Sequence, residues 1–361
     1  MSIHVLTRVA NGVATITLDR PKALNSLSLD MVRALTEALA AWRDDPAVDA
    51  VVLQSSSSEK ALCAGGDIRF FHQVGQAGLA GGSALLEDFF TEEYALNHLI
   101  HYYPKPYIAL MDGVVMGGGM GIAQGGPGNG LRIVTERSKV AMPEVNIGLF
   151  PDVGGSYFLS HAPGRLGDYL GLTGTTIGAA DALYVGLADL FVPGGQMAAL
   201  QALIASTPGA ALPEAIRAFA APFAQHIGAS TLQARRALID RHFGAPSVAL
   251  VMRSLEGDAD PFAQGTLALM RQRSPLMMCV TRELLARGAV LDVADCLRME
   301  RSLVRRNFEH GEVLEGVRAL VIDKDNAPRW NPPTLEEVTE EMVARFFEPV
   351  WPGWAHPLRD L

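Results

Sequence analysis

Residues 107–126 read YIALMDGVVMGGGMGIAQGG, an apolar run that opens directly onto a cluster of glycines. Residues 107–113 have the length and the apolar character of a buried β-strand. The glycines of 116–121, MGGGMG, stand between that strand and sequence that can open a helix. At such a junction the backbone N–H groups point outward at the positive end of the helix. Taken alone, the glycine stretch is explained by a structural turn. The strand followed by this turn predicts an α/β element.

Strands and helices alternate around this stretch up to about residue 190. Residues 12–20, GVATITLDR, alternate between two faces, and residues 50–55, AVVLQS, form a second apolar strand. Ser28 has the character of a helix N-cap, because apolar residues follow it at helical spacing. Alternation of this kind predicts an α/β fold with parallel strand pairing.

The sequence changes character near residue 196. Ala-rich and Arg-rich stretches such as MAALQALIAS and TLQARRALID have helical periodicity and few strand signals. Thr334 and Glu337 have the spacing of a capping box, which predicts that a helix begins there. We therefore predict an α/β core over residues 1–195 and a mainly α-helical region over residues 196–361.

Composition excludes several classes of protein. The 361 residues are 49% hydrophobic and 19% charged, which is globular composition. A net charge of −9 argues against a nucleic-acid surface, because phosphate binding needs clustered Lys and Arg. The three cysteines lack metal-ligand spacing, the first residues do not resemble a signal peptide, and no apolar run reaches membrane-spanning length. We expect a cytoplasmic protein with no nucleic-acid or membrane partner.

A second glycine turn, CAGGDI at residues 63–68, also follows a strand. Neither turn matches the glycine patterns that bind dinucleotides or nucleoside triphosphates. If each turn donates one N–H to the same point, the two form an oxyanion hole, for which a thioester carbonyl is a natural occupant. A donor of that kind contributes about 3 kcal/mol to the stability of a transition state.

Two acids lie in the stretch AMPEVNIGLFPDVGGS at residues 141–156, each beside a proline. A carboxylate acts as acid, base or nucleophile when its surroundings tune it. Taken singly, Glu144 and Asp152 would be expected to cap turns or to pair with surface cations. Their conjunction with two glycine turns favours a catalytic role.

Other hydrolytic machinery is hard to find in the sequence. No G-x-S-x-G nucleophile elbow occurs in the chain. His98 and His101 could share a helix face and bind a metal with a further ligand, although a solvated pair is the favoured interpretation. Cys63 has no evident histidine partner, so we expect a small buried residue.

The stretches RPKALNSLS, KALCAGGDI, MGGGMGI, RIVTE and AMPEVNIGLFPDVGGSYFLS together resemble the crotonase (enoyl-CoA hydratase/isomerase) superfamily, and most closely its 3-hydroxyisobutyryl-CoA hydrolase branch. The resemblance covers nearly the whole chain, since residues 316–339, GVRALVIDKDNAPRWNPPTLEEVT, are similar to the C-terminal segment of that branch. It implies a crotonase-like ββα spiral core that binds acyl-CoA over residues 1–195, followed by the helical C-terminal region.

The resemblance also implies roles for single residues. The oxyanion hole falls on the backbone N–H groups of Gly66 and Gly118. The catalytic glutamate falls on Glu144, the acid typical of the hydrolase branch on Asp152, and a substrate-contacting glutamate on Glu93. The groove that binds CoA is implied to be lined by Lys22, Ala23, Leu24 and Asn25.

Two departures from the family pattern bear on the mechanism. Hydratases of the superfamily carry a second glutamate two residues after the glycine triplet, where this chain has Gly121. Paired acid–base addition of water then lacks a partner, which favours hydrolysis. The chain is also about three residues longer than expected within Gly125–Gly130, and we expect these residues to form an outward surface loop that leaves Gly118 in place.

The expected function is hydrolysis of a short β-hydroxyacyl-CoA, and the resemblance implies 3-hydroxyisobutyryl-CoA of valine breakdown as the substrate. Glu144 would attack the carbonyl carbon or activate a water, and the sequence leaves both open. The alternatives are an enoyl-CoA hydratase or isomerase and a noncatalytic CoA-binding member of the fold. We expect no metal or other cofactor, because CoA is part of the substrate, and a homo-oligomer is left open.

Overall fold

The computed structural model describes residues 2–57, 60–76 and 83–361. In these residues the strands are β1 (Val5–Ala10), β2 (Val13–Leu18), β3 (Ala50–Ser55), β4 (Ala61–Cys63), β5 (Tyr107–Met111), β6 (Val114–Met116), β7 (Gly130–Val134), β8 (Lys139–Ala141) and β9 (Leu190–Phe191). The helices are α1 (Leu29–Arg43), α2 (Ile68–Gln76), α3 (Ala84–His101), α4 (Gly118–Ala123), α5 (Gly155–Ser160), α6 (Leu166–Thr173), α7 (Ala179–Tyr184), α8 (Met197–Ser206), α9 (Leu212–Ala220), α10 (Thr231–Phe243), α11 (Val248–Glu256), α12 (Pro261–Met270), α13 (Pro275–Gly288), α14 (Val293–His310), α15 (Glu312–Val317) and α16 (Glu340–Phe346).

The strands form two sheets. The larger sheet has the order β1-β2-β3-β5-β7-β9, and the smaller one has the order β4-β6-β8. Only the β1–β2 pair is antiparallel among the strand pairs of the described residues. Parallel strands need crossover connections, which the intervening helices and loops supply. The predicted α/β fold with parallel pairing is therefore confirmed.

The chain divides into two compact units. Unit 1 comprises Met1–Gly66, Ala95–Ala141 and Thr176–Gln233, and unit 2 comprises Asp67–Tyr94, Met142–Thr175 and Ala234–Leu361. The units interleave along the sequence. The predicted division at residue 195 describes a change in sequence character, and as a domain boundary it stays a prediction.

Unit 1 contains both sheets. The alternation predicted for β2 is present, since Ala14, Ile16 and Leu18 on one face are all fully buried. Helices α8 and α9 cover the larger sheet with Leu200 and Ile216, which join the same apolar core as the strands. Ser28 caps α1 as predicted by accepting the N–H of Met31.

Unit 2 is helical in the described residues. Its longest helices are α3, whose first part lies here, α13 and α14, and the predicted helical character of the C-terminal region is confirmed. The prediction that a helix begins after Thr334 is confirmed only for a short 3-10 helix, and the predicted capping box is wrong. Residues Leu335–Glu337 form one 3-10 turn without a side-chain cap to its N–H groups, and α16 begins after Thr339, whose hydroxyl accepts the N–H of Met342. Thr334 instead donates its hydroxyl to the Glu337 carboxylate, so the two capping-box side chains bond each other.

Candidate active site

The two predicted glycine turns lie side by side in unit 1. They follow the carboxyl ends of β4 and β6, which are paired parallel strands. A Cβ built on Gly65 would lie 3.2 Å from the Met116 carbonyl oxygen and 3.7 Å from the Gly118 nitrogen. Such close approach of two backbones, together with a φ of 102° at Gly65, requires glycine. The structure therefore places Gly66 and Gly118 in neighbouring turns.

Both glycines carry backbone N–H groups at this edge of the small sheet. Gly118 is the first residue of α4, where N–H groups have no acceptor within the helix. Gly66 forms an isolated parallel bridge with Leu27, and the N–H of Leu27 donates to the Gly65 carbonyl at 2.8 Å. Neighbouring N–H groups of this kind suit an oxyanion hole, and that role stays a prediction for Gly66 and Gly118.

The predicted CoA-lining segment is tied to the first glycine turn. The Leu24 carbonyl accepts the N–H of Ala64 at 3.0 Å. Lys22 and Leu24 are exposed and Ala23 is half-buried, so these three residues have accessible surface. Asn25 differs, because its side chain is buried.

Asn25 uses its side chain within the protein. Its amide nitrogen donates to Ser55 Oγ at 2.8 Å and to the carbonyls of Ala61 and Leu62, and its amide oxygen accepts the N–H of Arg20 at 2.7 Å. The segment is thereby fixed against β4. A contact of Asn25 with CoA stays a prediction, and it would have to use the backbone.

The two departures from the family pattern are also visible in unit 1. Gly121 is buried within α4 and supplies no side chain at the position of the hydratase glutamate. Within the predicted surface loop Gly125–Gly130, Pro127, Gly128 and Asn129 are exposed, so the middle of the segment faces outward. Gly126 is buried, and its backbone packs so closely on His101 that a Cβ there would lie 2.0 Å from the His101 carbonyl oxygen.

Glu144 lies in unit 2, in a short 3-10 turn formed by Glu144–Ile147. Gly148 ends this turn in the left-handed conformation, with φ at 70°. The Glu144 side chain is 6% exposed, and its Oε2 has no hydrogen-bond partner among the described residues. A buried oxygen without a partner is costly, so a structural role as a cap or surface pair does not explain Glu144.

Asp152 and Glu93 are buried in the same unit. Asp152 is 5% exposed and accepts the hydroxyl of Tyr94 at 2.6 Å. Glu93 is 2% exposed, and its Oε1 has no partner within the described part of the chain. Electrostatic repulsion links Glu144, Asp152 and Glu93. The structure therefore brings the three predicted acids together.

Burial and mutual repulsion change the protonation of these acids. Burial, and then the charge of Asp152, raise the pKa of Glu144 and that of Glu93 well above the usual value. Burial also raises the pKa of Asp152 to about 6, although the hydrogen bond from Tyr94 opposes that rise. Carboxyl groups whose pKa lies closer to neutral pH are suited to proton transfer.

Two functional candidates escaped the sequence reasoning. Glu300 of α14 is fully buried in unit 2, and burial raises its pKa to about 8. The acid occupies a core position of the helix, between Leu297 and Val304, and a charge at such a position is the signal that could have revealed it. Tyr94 is adjacent to Glu93 in the sequence, and a buried tyrosine hydroxyl usually has a partner.

Replacing Tyr94 with Phe is expected to move the acidic limb of the kcat/KM profile to higher pH. The hydroxyl lowers the pKa of Asp152, so its loss lets that pKa rise and keeps Asp152 protonated over a wider range. A hydrogen bond to a charged group contributes about 1.5–3 kcal/mol, which corresponds to a shift of about one to two pH units. Rates measured between pH 4 and pH 9 test this. The comparison variant is Tyr169→Phe, and an unchanged limb in Tyr94→Phe would contradict the expectation.

The described residues hold no group of three or more His, Cys, Asp or Glu that could bind a metal ion. Cys63 is buried, as predicted, and its thiol donates to the Gly65 carbonyl oxygen at 3.7 Å. The candidate functional groups are the backbone donors of unit 1 and the carboxyl groups of unit 2 whose pKa is raised. Backbone donors of this kind suit acyl transfer, and carboxyl groups of this kind suit proton transfer.

Comparison with known proteins identifies a family. The enoyl-CoA hydratase/isomerase family matches residues 13–347. A mitochondrial 3-hydroxyisobutyryl-CoA hydrolase from Gallus gallus is 37% identical over 356 residues, covering 96% of this chain and 89% of the relative. 3-Hydroxyisobutyryl-CoA hydrolase 1 from Arabidopsis thaliana is 36% identical over 358 residues, covering 96% and 92%.

Solved structures share the fold. A carnitinyl-CoA dehydratase from Mycobacterium thermoresistibile has a TM-score of 0.89 and 39% identity, covering 97% of this chain and 98% of its own. An enoyl-CoA hydratase from Rhodobacter sphaeroides 2.4.1 has a TM-score of 0.83 and 37% identity, covering 96% and 98%. The predicted crotonase-like fold is confirmed by these structures and by the family match.

Proposed function

The chain belongs to the enoyl-CoA hydratase/isomerase family, and from that premise we propose that it hydrolyses a short β-hydroxyacyl-CoA thioester. The substrate named by the curated relatives, 3-hydroxyisobutyryl-CoA, is the one we propose, as a step of valine breakdown. The observation that carries the proposal is Glu144, a buried carboxyl group with an unpaired oxygen and a raised pKa next to Asp152.

The proposed mechanism assigns one task to each group. The backbone N–H groups of Gly66 and Gly118 stabilise the oxygen of the thioester carbonyl as it gains negative charge. Glu144 either attacks the carbonyl carbon, which displaces the CoA thiolate and leaves an anhydride for water to cleave, or removes a proton from an attacking water. Asp152 orients that water or the substrate hydroxyl.

Glu93 is proposed to bind the 3-hydroxyl group of the substrate. Its Oε1 is buried without a partner in the described residues, and a carboxyl group with a raised pKa can both donate to and accept from a hydroxyl. This role predicts selectivity for 3-hydroxyacyl over plain acyl thioesters.

Hydration of an enoyl-CoA is the second candidate, because two of the similar solved structures are a hydratase and a dehydratase. Gly121 counts against it, since the paired acid–base addition of water would need a carboxylate at that position. A noncatalytic CoA-binding member of the fold remains the alternative if no turnover is found.

The decisive assay follows thiol release from 3-hydroxyisobutyryl-CoA alongside ultraviolet absorbance of an enoyl-CoA. Rapid thiol release with a stable enoyl signal supports the hydrolase. Loss of the enoyl signal without thiol release would instead identify a hydratase. A panel that varies acyl length and removes the 3-hydroxyl defines the acyl preference and tests Glu93.

Replacing Lys22 with Glu is expected to raise the dissociation constant for CoA about tenfold, because a cation near a polyanion becomes an anion. Lys22 is exposed in the segment tied to the first glycine turn. Titration calorimetry at low and high salt tests this, since the effect should shrink as salt screens the charges. Lys139→Glu is the matched control. Lys139 lies at the amino end of β8, whereas the glycine turns follow the carboxyl ends of β4 and β6 in the same parallel sheet. Equal constants for both variants would contradict the placement.

Other expectations are unchanged by the structure. No helix among the described residues is long and apolar enough to cross a membrane. A cytoplasmic location stays a prediction, and several relatives are named as mitochondrial. The absence of a cofactor also stays a prediction, and the oligomeric state stays open.

A further inference from the structure

The turn that carries Asp152 has an unusual backbone. Val153 has φ at 55° and Gly154 has φ at 88°, so two consecutive residues are left-handed. Glycine adopts this conformation freely, but a β-branched residue such as valine is strained there. Such strain persists only where the surrounding structure holds the backbone in place.

Glu300 supplies the contacts that hold this turn. Its Oε2 accepts the N–H of Gly154 at 2.8 Å, and its Oε1 accepts the N–H of Ser156 at 3.0 Å and the Ser156 hydroxyl at 2.5 Å. All three donors lie within four residues of Asp152. The buried carboxyl group of Glu300 therefore anchors the strained turn through Oε2 and the first turn of α5, which follows it, through Oε1.

We infer that Glu300 is a positioning residue for the reaction, which holds Asp152 in place by anchoring the Val153–Gly154 turn. The inference rests on the proposed hydrolysis and adds a role for the helical C-terminal region. Asp152 in turn accepts the Tyr94 hydroxyl, so α3 fixes its side chain and α14 fixes the backbone two residues after it, at Gly154.

Charge supports the same assignment. The charge of Asp152 contributes to the raised pKa of Glu300, and the charge of Glu300 contributes to the raised pKa of Glu144. Glu300 thus lies close enough to influence both proposed reacting acids. A carboxyl group that only filled the core would be costly to bury beside these acids, and an apolar residue would cost less there.

Glu300→Gln is the first test. The amide keeps one acceptor oxygen and replaces the other with N–H groups. These N–H groups face a backbone N–H, so one of the hydrogen bonds from the backbone is lost. We expect kcat to fall about 10- to 100-fold, because small displacements of a reacting group have effects of that size, while KM changes less than about threefold. The melting temperature is recorded so that rates refer to folded protein. Hydrogen exchange of the Gly154 and Ser156 amides should accelerate.

Asp181→Asn is the matched control. Asp181 also accepts a serine hydroxyl, from Ser230 at 2.6 Å, and a backbone N–H, from Leu232 at 2.9 Å, but it belongs to unit 1. Its kcat should remain within about twofold of the parent. An equal loss of kcat in both variants, or a kcat of Glu300→Gln that matches the parent, would overturn the inference.

Val153→Gly separates positioning from general stability. Glycine adopts the left-handed conformation without strain, so the turn should depend less on Glu300. If Glu300→Gln lowers kcat a hundredfold, the double variant Val153→Gly/Glu300→Gln should have a kcat at least tenfold higher than Glu300→Gln alone. A double variant no faster than Glu300→Gln contradicts the coupling through the turn.

The parent protein tells two kinds of failure apart. If the parent itself releases no thiol from any acyl-CoA, the proposed function is wrong and the inference fails with it. If the parent is active and Glu300→Gln has the same kcat, only the inference is refuted.

Discussion

Glu144→Gln is expected to lower kcat for thioester hydrolysis by about a thousandfold or more. The amide is close in size to the carboxyl group, but it is neither a nucleophile nor a base at neutral pH. Both proposed mechanisms therefore lose their reacting group. Binding of acyl-CoA should change little, because the thioester contacts assigned to Gly66 and Gly118 are unaffected.

The same substitution should preserve or raise the melting temperature. Burial and the charge of Asp152 disfavour the ionised form of Glu144, so a neutral amide removes a destabilising group. Opposite directions for activity and stability are characteristic of residues kept for function.

Glu312→Gln is the control for Glu144→Gln. Glu312 is also a buried acid of unit 2 with a raised pKa, but both of its oxygens are bonded, to the Ser274 hydroxyl at 2.5 Å and to the N–H of Asn331 at 3.2 Å. Its substitution should lower stability and leave kcat within a few-fold. Retention of more than a tenth of the parent kcat by Glu144→Gln would rule out Glu144 as the reacting group.

Gly119→Ala is expected to lower the free energy of unfolding by about 3 kcal/mol or more. A Cβ at this position would lie 2.2 Å from the Cys63 carbonyl oxygen and 2.9 Å from its carbon, and these backbone atoms cannot move aside as a flexible side chain would. Either α4 or the end of β4 must shift. Because Gly118 and Gly66 belong to the two turns that would separate, hydrolysis of the folded fraction should also fall, by about 100-fold for a lost oxyanion donor.

Urea denaturation measures the stability loss, and thiol release at low temperature measures the activity of the folded fraction. Gly265→Ala is the contrasting variant, since Gly265 is exposed in α12 and a Cβ there would meet no atom within 4 Å. It should stabilise the protein slightly, because alanine favours a helix more than glycine does. A Gly119→Ala protein as stable as the parent would show that the two turns tolerate separation.

Short motifs are the part of the candidate site that the sequence reveals. The glycine turns and the acids Glu144 and Asp152 are each recognisable within a few residues, and the strands are recognisable from alternation and apolar runs. Thr334 and Glu337 show the limit of local signals, because the capping-box spacing there forms a side-chain pair and one turn of 3-10 helix, and no α-helix follows.

The sequence could not reveal contacts between distant positions. The partner of Tyr94 is 58 residues away, and the turn held by Glu300 is more than 140 residues away. The left-handed Val153 is also unexpected from its residue type, since β-branched residues disfavour positive φ. The tertiary hydrogen bonds next to it, from Gly154 and Ser156 to Glu300, are encoded by no local pattern.

The cluster of buried acids has a consequence for the charge of the whole molecule. The formal charge of −9 counts every carboxyl group as ionised, but the pKa of Glu300 is about 8 and those of Glu93 and Glu144 are also raised. Folding at neutral pH therefore takes up protons from solution, and each such group makes the folded state less stable as the pH rises from its unfolded pKa to its folded pKa. The folded protein is thus less anionic than its sequence suggests, which reduces its repulsion of a polyanion such as CoA.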